Sequence, residues 1–122
     1  MPQTEPTLVV GASPNPSRYS FKATQMLLEH GHTVVPYGIK KGQIGSLNIH
    51  NKWPSNQAFD TVTLYMNPKL QQDYIQRILD LHPRRIIFNP GTENESLKLL
   101  AIQQNIIPTY ACTLVLLRTN QY

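Results

Sequence analysis

The stretch TLVVGAS, residues 7–13, which runs on through PNPSRYS, residues 14–20, decides the fold of this chain. A short apolar, β-branched run ends in glycine and small residues, and a helical pattern follows. Such a run is typical of a parallel strand that leads into a helix N-terminus in nucleotide-binding α/β folds. Gly11 allows a tight turn, the serines of the stretch place hydroxyls beside free backbone amides, and Arg18 adds a positive charge. The stretch therefore predicts a phosphate site, and the alternative is a plain turn with capping serines.

Further strands and helices alternate along the rest of the chain, which indicates repeated βα units. Apolar residues at helical spacing predict a helix over 18–30, and a second strand follows at 33–36. Later strands are predicted at 60–66, 84–88 and 106–110, with helices at 67–81 and 93–104 between them. Thr92 and Glu95 stand at capping-box spacing before the last of these helices. Residues 111–117 fit either a short helix or an added strand.

These elements predict one α/β domain with a Rossmann-like, open, mostly parallel sheet and helices on both faces. The expected strand order is 3-2-1-4-5-6, in which strand 3 is a short edge strand near 44–49. A ligand crevice is expected beyond the carboxyl ends of the strands. The GxGxxG fingerprint of dinucleotide-binding proteins is missing, because positions 13 and 16 are Ser and Pro. This absence counts against an NAD(P)-binding sensor or oxidoreductase.

The loop at 37–46, after the second strand, combines three glycines with the adjacent Lys40 and Lys41. In dinucleotide-binding folds an acidic residue near this point binds the ribose hydroxyl, and basic residues replace it where a ribose phosphate is held. The lysines therefore favour a phosphorylated ribose. A solvated loop whose lysines keep the sheet edge soluble is the alternative.

Size, charge and composition limit the classes of function. The 122 residues suit one domain, and the net charge of +4 suits an anionic small molecule without demanding nucleic acid. No run is long enough to cross a bilayer and the start does not resemble a signal peptide, so a cytoplasmic protein is expected. A single cysteine, Cys112, agrees with a reducing compartment.

The remaining residues that could carry chemistry predict no catalytic group and no metal site. Trp53 is interpreted as an aromatic side chain that covers the core rather than one that stacks on a base. The four histidines are scattered without partners at ligand spacing. Cys112 is interpreted as an ordinary buried thiol, with mixed-disulfide chemistry near a ligand thiol as the alternative. The sequence therefore predicts a binding module rather than a complete enzyme.

Several motifs taken together resemble the small CoA-binding proteins, which are stand-alone relatives of the N-terminal domain of the succinyl-CoA synthetase α subunit. The motifs are Gly11-Ala12-Ser13, Pro16 to Ser20, the lysine loop, the turn Asn89 to Glu95, and a cysteine after the last strand. The resemblance covers residues 8–117 and implies a single CoA-binding domain over residues 1–122. Its implied function is that of an accessory module that binds coenzyme A or an acyl-CoA. The alternative is the ligand-binding half of an acyl-CoA ligase or transferase that a separate chain completes.

Site residues follow from the resemblance position by position. It implies that five residues contact the CoA pyrophosphate: Gly11, Ala12, Ser13, Arg18 and Ser20. Lys40 or Lys41 falls near the 3′-phosphate. Three residues flank the adenine or pantetheine path: Met66, Asn67 and Pro68. Three more border the neighbouring crevice: Asn89, Pro90 and Gly91. The implied partner is a small nucleotide ligand, neither nucleic acid nor membrane is expected, and a homo-oligomer or a separate catalytic subunit stays open.

Overall fold

A computed structural model describes residues 5–122, so residues 1–4 of the predicted domain lie outside the described part. Five parallel strands form one sheet in the order β2-β1-β5-β6-β7, with helices on both faces. The elements in chain order are β1 (Thr7–Val10), α1 (Tyr19–Glu29), β2 (Val34–Tyr37), β3 (Gln43–Ile44), β4 (Leu47–Asn48), β5 (Thr61–Leu64), α2 (Pro68–Gln71), α3 (Ile75–Asp80), β6 (Arg85–Phe88), α4 (Glu95–Gln103), β7 (Ile107–Tyr110) and α5 (Thr113–Arg118).

The two faces of the sheet bury separate apolar clusters, which explains the nearly continuous apolar strands. Side chains alternate along β1, so Leu8 and Val10 pack against α3 and α4, while Val9 packs on the opposite face with Leu27 of α1 and Leu117 of α5. All four residues of β1, β5 and β6 are buried. The predicted Rossmann-like class is therefore confirmed. No helix within residues 5–122 has the length and apolar character to span a bilayer.

The predicted edge strand near 44–49 is wrong in its pairing. Its residues form the antiparallel hairpin β3–β4, because the turn at Gly45, with φ +59°, folds the segment back on itself. A parallel bridge between Tyr37 and His50, just after the hairpin, links this segment to the edge of the sheet. In the predicted order 3-2-1-4-5-6, strand 3 is therefore not part of the main sheet. The other five strands have the neighbours that were predicted.

Two helix predictions also need correction. The helix predicted over 67–81 is divided into α2 and α3, because the Tyr74 amide donates to the Gln71 carbonyl, three residues back, at 2.8 Å. The predicted capping box is wrong as well. Asn94 caps α4 by accepting from the Leu97 amide at 3.2 Å, while the Thr92 hydroxyl donates to the Asn89 carbonyl. For residues 111–117 the sequence allowed either a short helix or an added strand, and the structure has the helix α5 there.

A histidine at the amino ends of the strands predicts a pH-dependent stability. The Glu5 amide donates to His32 Nδ1 at 3.0 Å, and the His32 ring lies 4.9 Å from that of Tyr122. Burial lowers the pKa of His32 below its ordinary value of 6.5, because the charged imidazolium is poorly solvated there. The unfolded chain then binds more protons than the native protein below that value, so stability present above pH 6.5 is lost as the pH falls through the lowered pKa.

We expect urea titrations at decreasing pH to show this loss in the wild-type protein and a flatter profile in His32→Phe, which keeps a ring against Tyr122 but cannot take up the proton. Equal dependence of the free energy of unfolding on pH in both proteins would contradict the assignment.

Candidate functional site

A crevice of about 690 Å³ lies at the carboxyl ends of the strands, between the loops that follow β2, β1, β5 and β6. We call it the main crevice. Ten of the thirteen predicted site residues line it: Gly11, Ala12, Ser13, Arg18, Ser20, Lys40, Met66, Asn67, Pro90 and Gly91. The other three do not: Lys41, Pro68 and Asn89. We call residues 11–13, after β1, the glycine turn and residues 37–46 the lysine loop; the structure thus brings the glycine turn and Lys40 of the lysine loop into the same cavity.

The glycine turn after β1 is shaped by its neighbours on both sides. Gly11 has φ +97°, and a Cβ there would lie 2.9 Å from the Tyr65 carbonyl carbon, so the turn needs glycine. The amides of Gly11 and Ala12 both donate to the Tyr37 carbonyl, at 3.0 and 2.8 Å. These two amides are therefore not free to bind a phosphate, although both residues line the crevice.

Uncapped amides are found further on, at the start of α1. Arg18 occupies the N-cap position in an extended conformation, and its side chain makes no capping hydrogen bond. The first amides of an α-helix have no partner within the helix, and they carry the positive end of its dipole. Tyr19 and Ser20, which contribute two of these amides, line the main crevice together with Arg18. This arrangement can accept an anion such as a phosphate group.

The lysine loop is held against the glycine turn by close backbone contact. A Cβ on Gly38 would lie 2.2 Å from the Ala12 carbonyl oxygen. The Asn51 side-chain amide donates to the carbonyls of Gly38 and Lys40, at 2.8 and 3.1 Å. Lys40 therefore lines the crevice, while the neighbouring Lys41 does not.

Two tyrosine rings beside the lysine loop form an aromatic wall that was not predicted from the sequence. Tyr37 and Tyr74 both line the main crevice, and their hydroxyls lie 3.1 Å apart. Burial, with a smaller effect of this hydrogen bond, raises the pKa of Tyr37 to about 12, so the phenol stays protonated. Trp53 packs on the two rings at centroid distances of 5.0 and 5.6 Å, at the margin of the core as predicted. In the sequence, Tyr37 follows the predicted second strand, and this position at the carboxyl end of a strand could have indicated that it lines the crevice.

The buried side chain of Asn89 holds together the strand ends beneath the main crevice. Asn89 is only 2% exposed. Its Nδ2 donates to the Thr63 hydroxyl at 2.6 Å and to the Leu64 carbonyl at 2.8 Å, and its Oδ1 accepts from the Thr113 amide at 2.8 Å. Asn89 thus joins the ends of β5 and β6 to the start of α5. Its amide group is occupied by these protein contacts rather than turned to the main crevice.

A second, smaller cavity of about 300 Å³ adjoins the main crevice, and we call it the side cavity. Six residues line it: Tyr19, Tyr65, Asn89, Pro90, Cys112 and Leu114. Tyr19, Tyr65 and Pro90 also line the main crevice, so the two cavities are neighbours. Cys112 is partly exposed there. Among residues 5–122, no three His, Cys, Asp or Glu side chains are grouped as a metal site would require.

The doubly wound sheet, with a crevice across its strand ends, places the protein in the class of Rossmann-like α/β domains. A family model for the CoA binding domain matches residues 5–118. The chain belongs to this CoA-binding family, as the sequence motifs suggested.

Solved structures share the fold. A crystal structure of an uncharacterized protein is 42% identical with a TM-score of 0.96, over 99% of this chain and 100% of the other. A Thermus thermophilus protein is 17% identical with a TM-score of 0.83, over 98% and 91%. A hypothetical protein from Pyrococcus horikoshii OT3 is 24% identical with a TM-score of 0.80, over 92% and 80%. No curated protein sequence matches the chain significantly.

Proposed function

We propose that this protein binds coenzyme A or an acyl-CoA in the main crevice and acts as a binding module rather than as a complete enzyme. The observation that carries the proposal is that Lys40 and the uncapped start of α1 line one cavity. Two separate positive regions match a ligand that carries phosphate at two places, a pyrophosphate and a ribose 3′-phosphate. Family membership supports the same ligand.

The pyrophosphate is assigned to the start of α1. Arg18 supplies a permanent charge there, and the free amides of the first helical turn supply donors. Ala12, which lines the crevice with no more than a methyl group, lets the ligand approach the backbone closely.

The adenosine is assigned to the β2 side of the crevice. Lys40 stands there for the 3′-phosphate, and Tyr37 and Tyr74 offer apolar ring surface near it. Met66 and Asn67, after β5, and Pro90 and Gly91, after β6, then border the path of the pantetheine arm. Lys41, Pro68 and Asn89 are not assigned direct contacts, because they do not line the crevice.

The two adjacent lysines provide a matched test of the phosphate assignment. We expect Lys40→Met to weaken CoA binding by about 1 to 3 kcal/mol, because a charge-assisted hydrogen bond to the 3′-phosphate is lost. Lys41→Met, the control, should bind CoA like the wild-type protein. Dephospho-CoA should bind equally to all three proteins. Calorimetric titration of both ligands measures this, and an equal loss for CoA and dephospho-CoA in Lys40→Met would refute the assignment.

The proposal also includes where the protein is located and which partner it has. A cytoplasmic location is supported by the single cysteine, since a reducing compartment disfavours disulfides. If a reaction uses the bound ligand, a separate chain supplies its catalytic groups, and co-purification with turnover only in the mixture would identify that chain.

A further inference from the structure

The side cavity continues the main crevice in a definite direction along the sheet. The main crevice is lined from the loops after β2, β1, β5 and β6, whereas Cys112 and Leu114 of the side cavity follow β7. Adjacent strands lie about 4.8 Å apart, so the strand ends from β2 to β7 span roughly 19 Å. The side cavity therefore occupies the end of this row that is opposite Lys40.

The order of the strand ends matches the order of the parts of an acyl-CoA, an argument that rests on the proposed function. With the 3′-phosphate at Lys40 and the pyrophosphate at the start of α1, the pantetheine arm runs past the loops after β5 and β6. The sulfur end of the ligand then arrives where Tyr65 and Pro90 border both cavities. Whatever is attached to that sulfur would enter the side cavity.

The chemistry of the side cavity suits an uncharged, apolar group. Its six lining residues include no Lys, Arg, Asp or Glu. Leu114 is 4% exposed, and the amide of Asn89 is already hydrogen-bonded within the protein. Burial raises the pKa of the Tyr65 phenol above its usual range, so this residue also stays neutral. A charged substituent such as a carboxylate would find no cation to pair with here, and the buried Tyr65 hydroxyl, which has no partner within residues 5–122, would offer it only a neutral donor in place of its hydration.

The volume limits the length of the group. A dry apolar cavity of about 150 Å³ holds benzene, a molecule of six carbon atoms. The side cavity is about twice as large, at about 300 Å³, and must also hold the sulfur end of the ligand. We infer that the side cavity receives the acyl chain of a short or medium-length, uncharged acyl-CoA thioester.

The test is a titration of the wild-type protein with CoA and with acetyl-, butyryl-, hexanoyl- and palmitoyl-CoA, and with succinyl-CoA as the charged probe. Affinity should rise about fourfold for each added methylene that the side cavity buries, from acetyl- to hexanoyl-CoA. It should not rise further for palmitoyl-CoA, and succinyl-CoA should bind more weakly than butyryl-CoA. Equal affinity across the series would overturn the inference while leaving CoA binding intact. Failure to bind CoA itself would instead overturn the proposed function and, with it, this inference.

Two variants at neighbouring positions, Cys112 and Val115, test whether the acyl chain lies in the side cavity. Cys112→Met places a longer side chain in the side cavity, and it should lower the preference for hexanoyl-CoA over CoA about tenfold. Val115→Met adds the same side chain at an exposed position of α5 outside both cavities, and it should leave this preference unchanged. A preference that is the same in both variants would place the acyl chain elsewhere.

Discussion

Gly38→Ala is expected to lower the free energy of unfolding by about 3 kcal/mol or more, a large part of the stability of a domain of this size. The added Cβ would lie 2.2 Å from the Ala12 carbonyl oxygen, which is backbone and cannot rotate away. Relief requires the ends of β1 and β2 to separate. That movement would also break the hydrogen bonds of the Gly11 and Ala12 amides to Tyr37, so the main crevice should lose its shape.

Gly31→Ala is the control for this substitution. Gly31 has φ +82°, but a Cβ there meets nothing within 4 Å, so only the left-handed conformation is penalised, by about 1 kcal/mol. Urea unfolding of both variants compares the two costs. A loss in Gly38→Ala no larger than that in Gly31→Ala would show that the strand ends are not in such close contact.

Asn89→Ala is expected to cost about 3 kcal/mol, because it removes hydrogen bonds to three buried groups, of which the Thr63 hydroxyl keeps the Thr113 hydroxyl as a partner at 2.8 Å. These are the Thr63 hydroxyl, the Leu64 carbonyl and the Thr113 amide. They belong to the end of β5 and to the start of α5, and Asn89 itself follows β6, so the loss should loosen the junction between the main crevice and the side cavity. We therefore expect weaker CoA binding as well, although Asn89 is not assigned a contact with the ligand.

Asn48→Ala is the control, because it also removes an asparagine side chain but at an exposed position. It tests whether the cost of Asn89→Ala depends on burial. Asn48 is an exposed residue of the hairpin β3–β4, and its side chain accepts one hydrogen bond from Gln43. Its removal should change stability by less than about 0.5 kcal/mol, as is usual at the surface. Similar losses in the two variants, measured by thermal or urea unfolding, would contradict the supporting role of Asn89.

The sheet could be predicted from the sequence because its central strands are short, β-branched runs between clear breaks. Residues 7–10, buried on both faces, form such a run, and Gly11 marks its end. The hairpin at 43–48 could not be predicted, because two-residue strands carry no periodicity. The division of α2 from α3 was also hidden, since the apolar spacing continues across the break at Tyr74.

The site was predictable in outline, because loops after parallel strands meet at one edge of the sheet. Which lysine lines the crevice was not, since this depends on how Asn51 and Gly38 hold the loop. The occupied amides of Gly11 and Ala12 were hidden for a similar reason. Their acceptor is the Tyr37 carbonyl, which approaches only when β1 and β2 pair.

We propose that two positive regions of one crevice, at Lys40 and at the start of α1, recognise a nucleotide with an additional phosphate on its ribose. Calorimetric titration of the wild-type protein with CoA, dephospho-CoA and NADH measures this recognition. We expect one CoA per chain, about tenfold or more weaker binding of dephospho-CoA, and the weakest binding for NADH, which has neither the ribose phosphate nor the pantetheine arm. No heat with CoA at millimolar concentration, or equal affinity for CoA and dephospho-CoA, would contradict it.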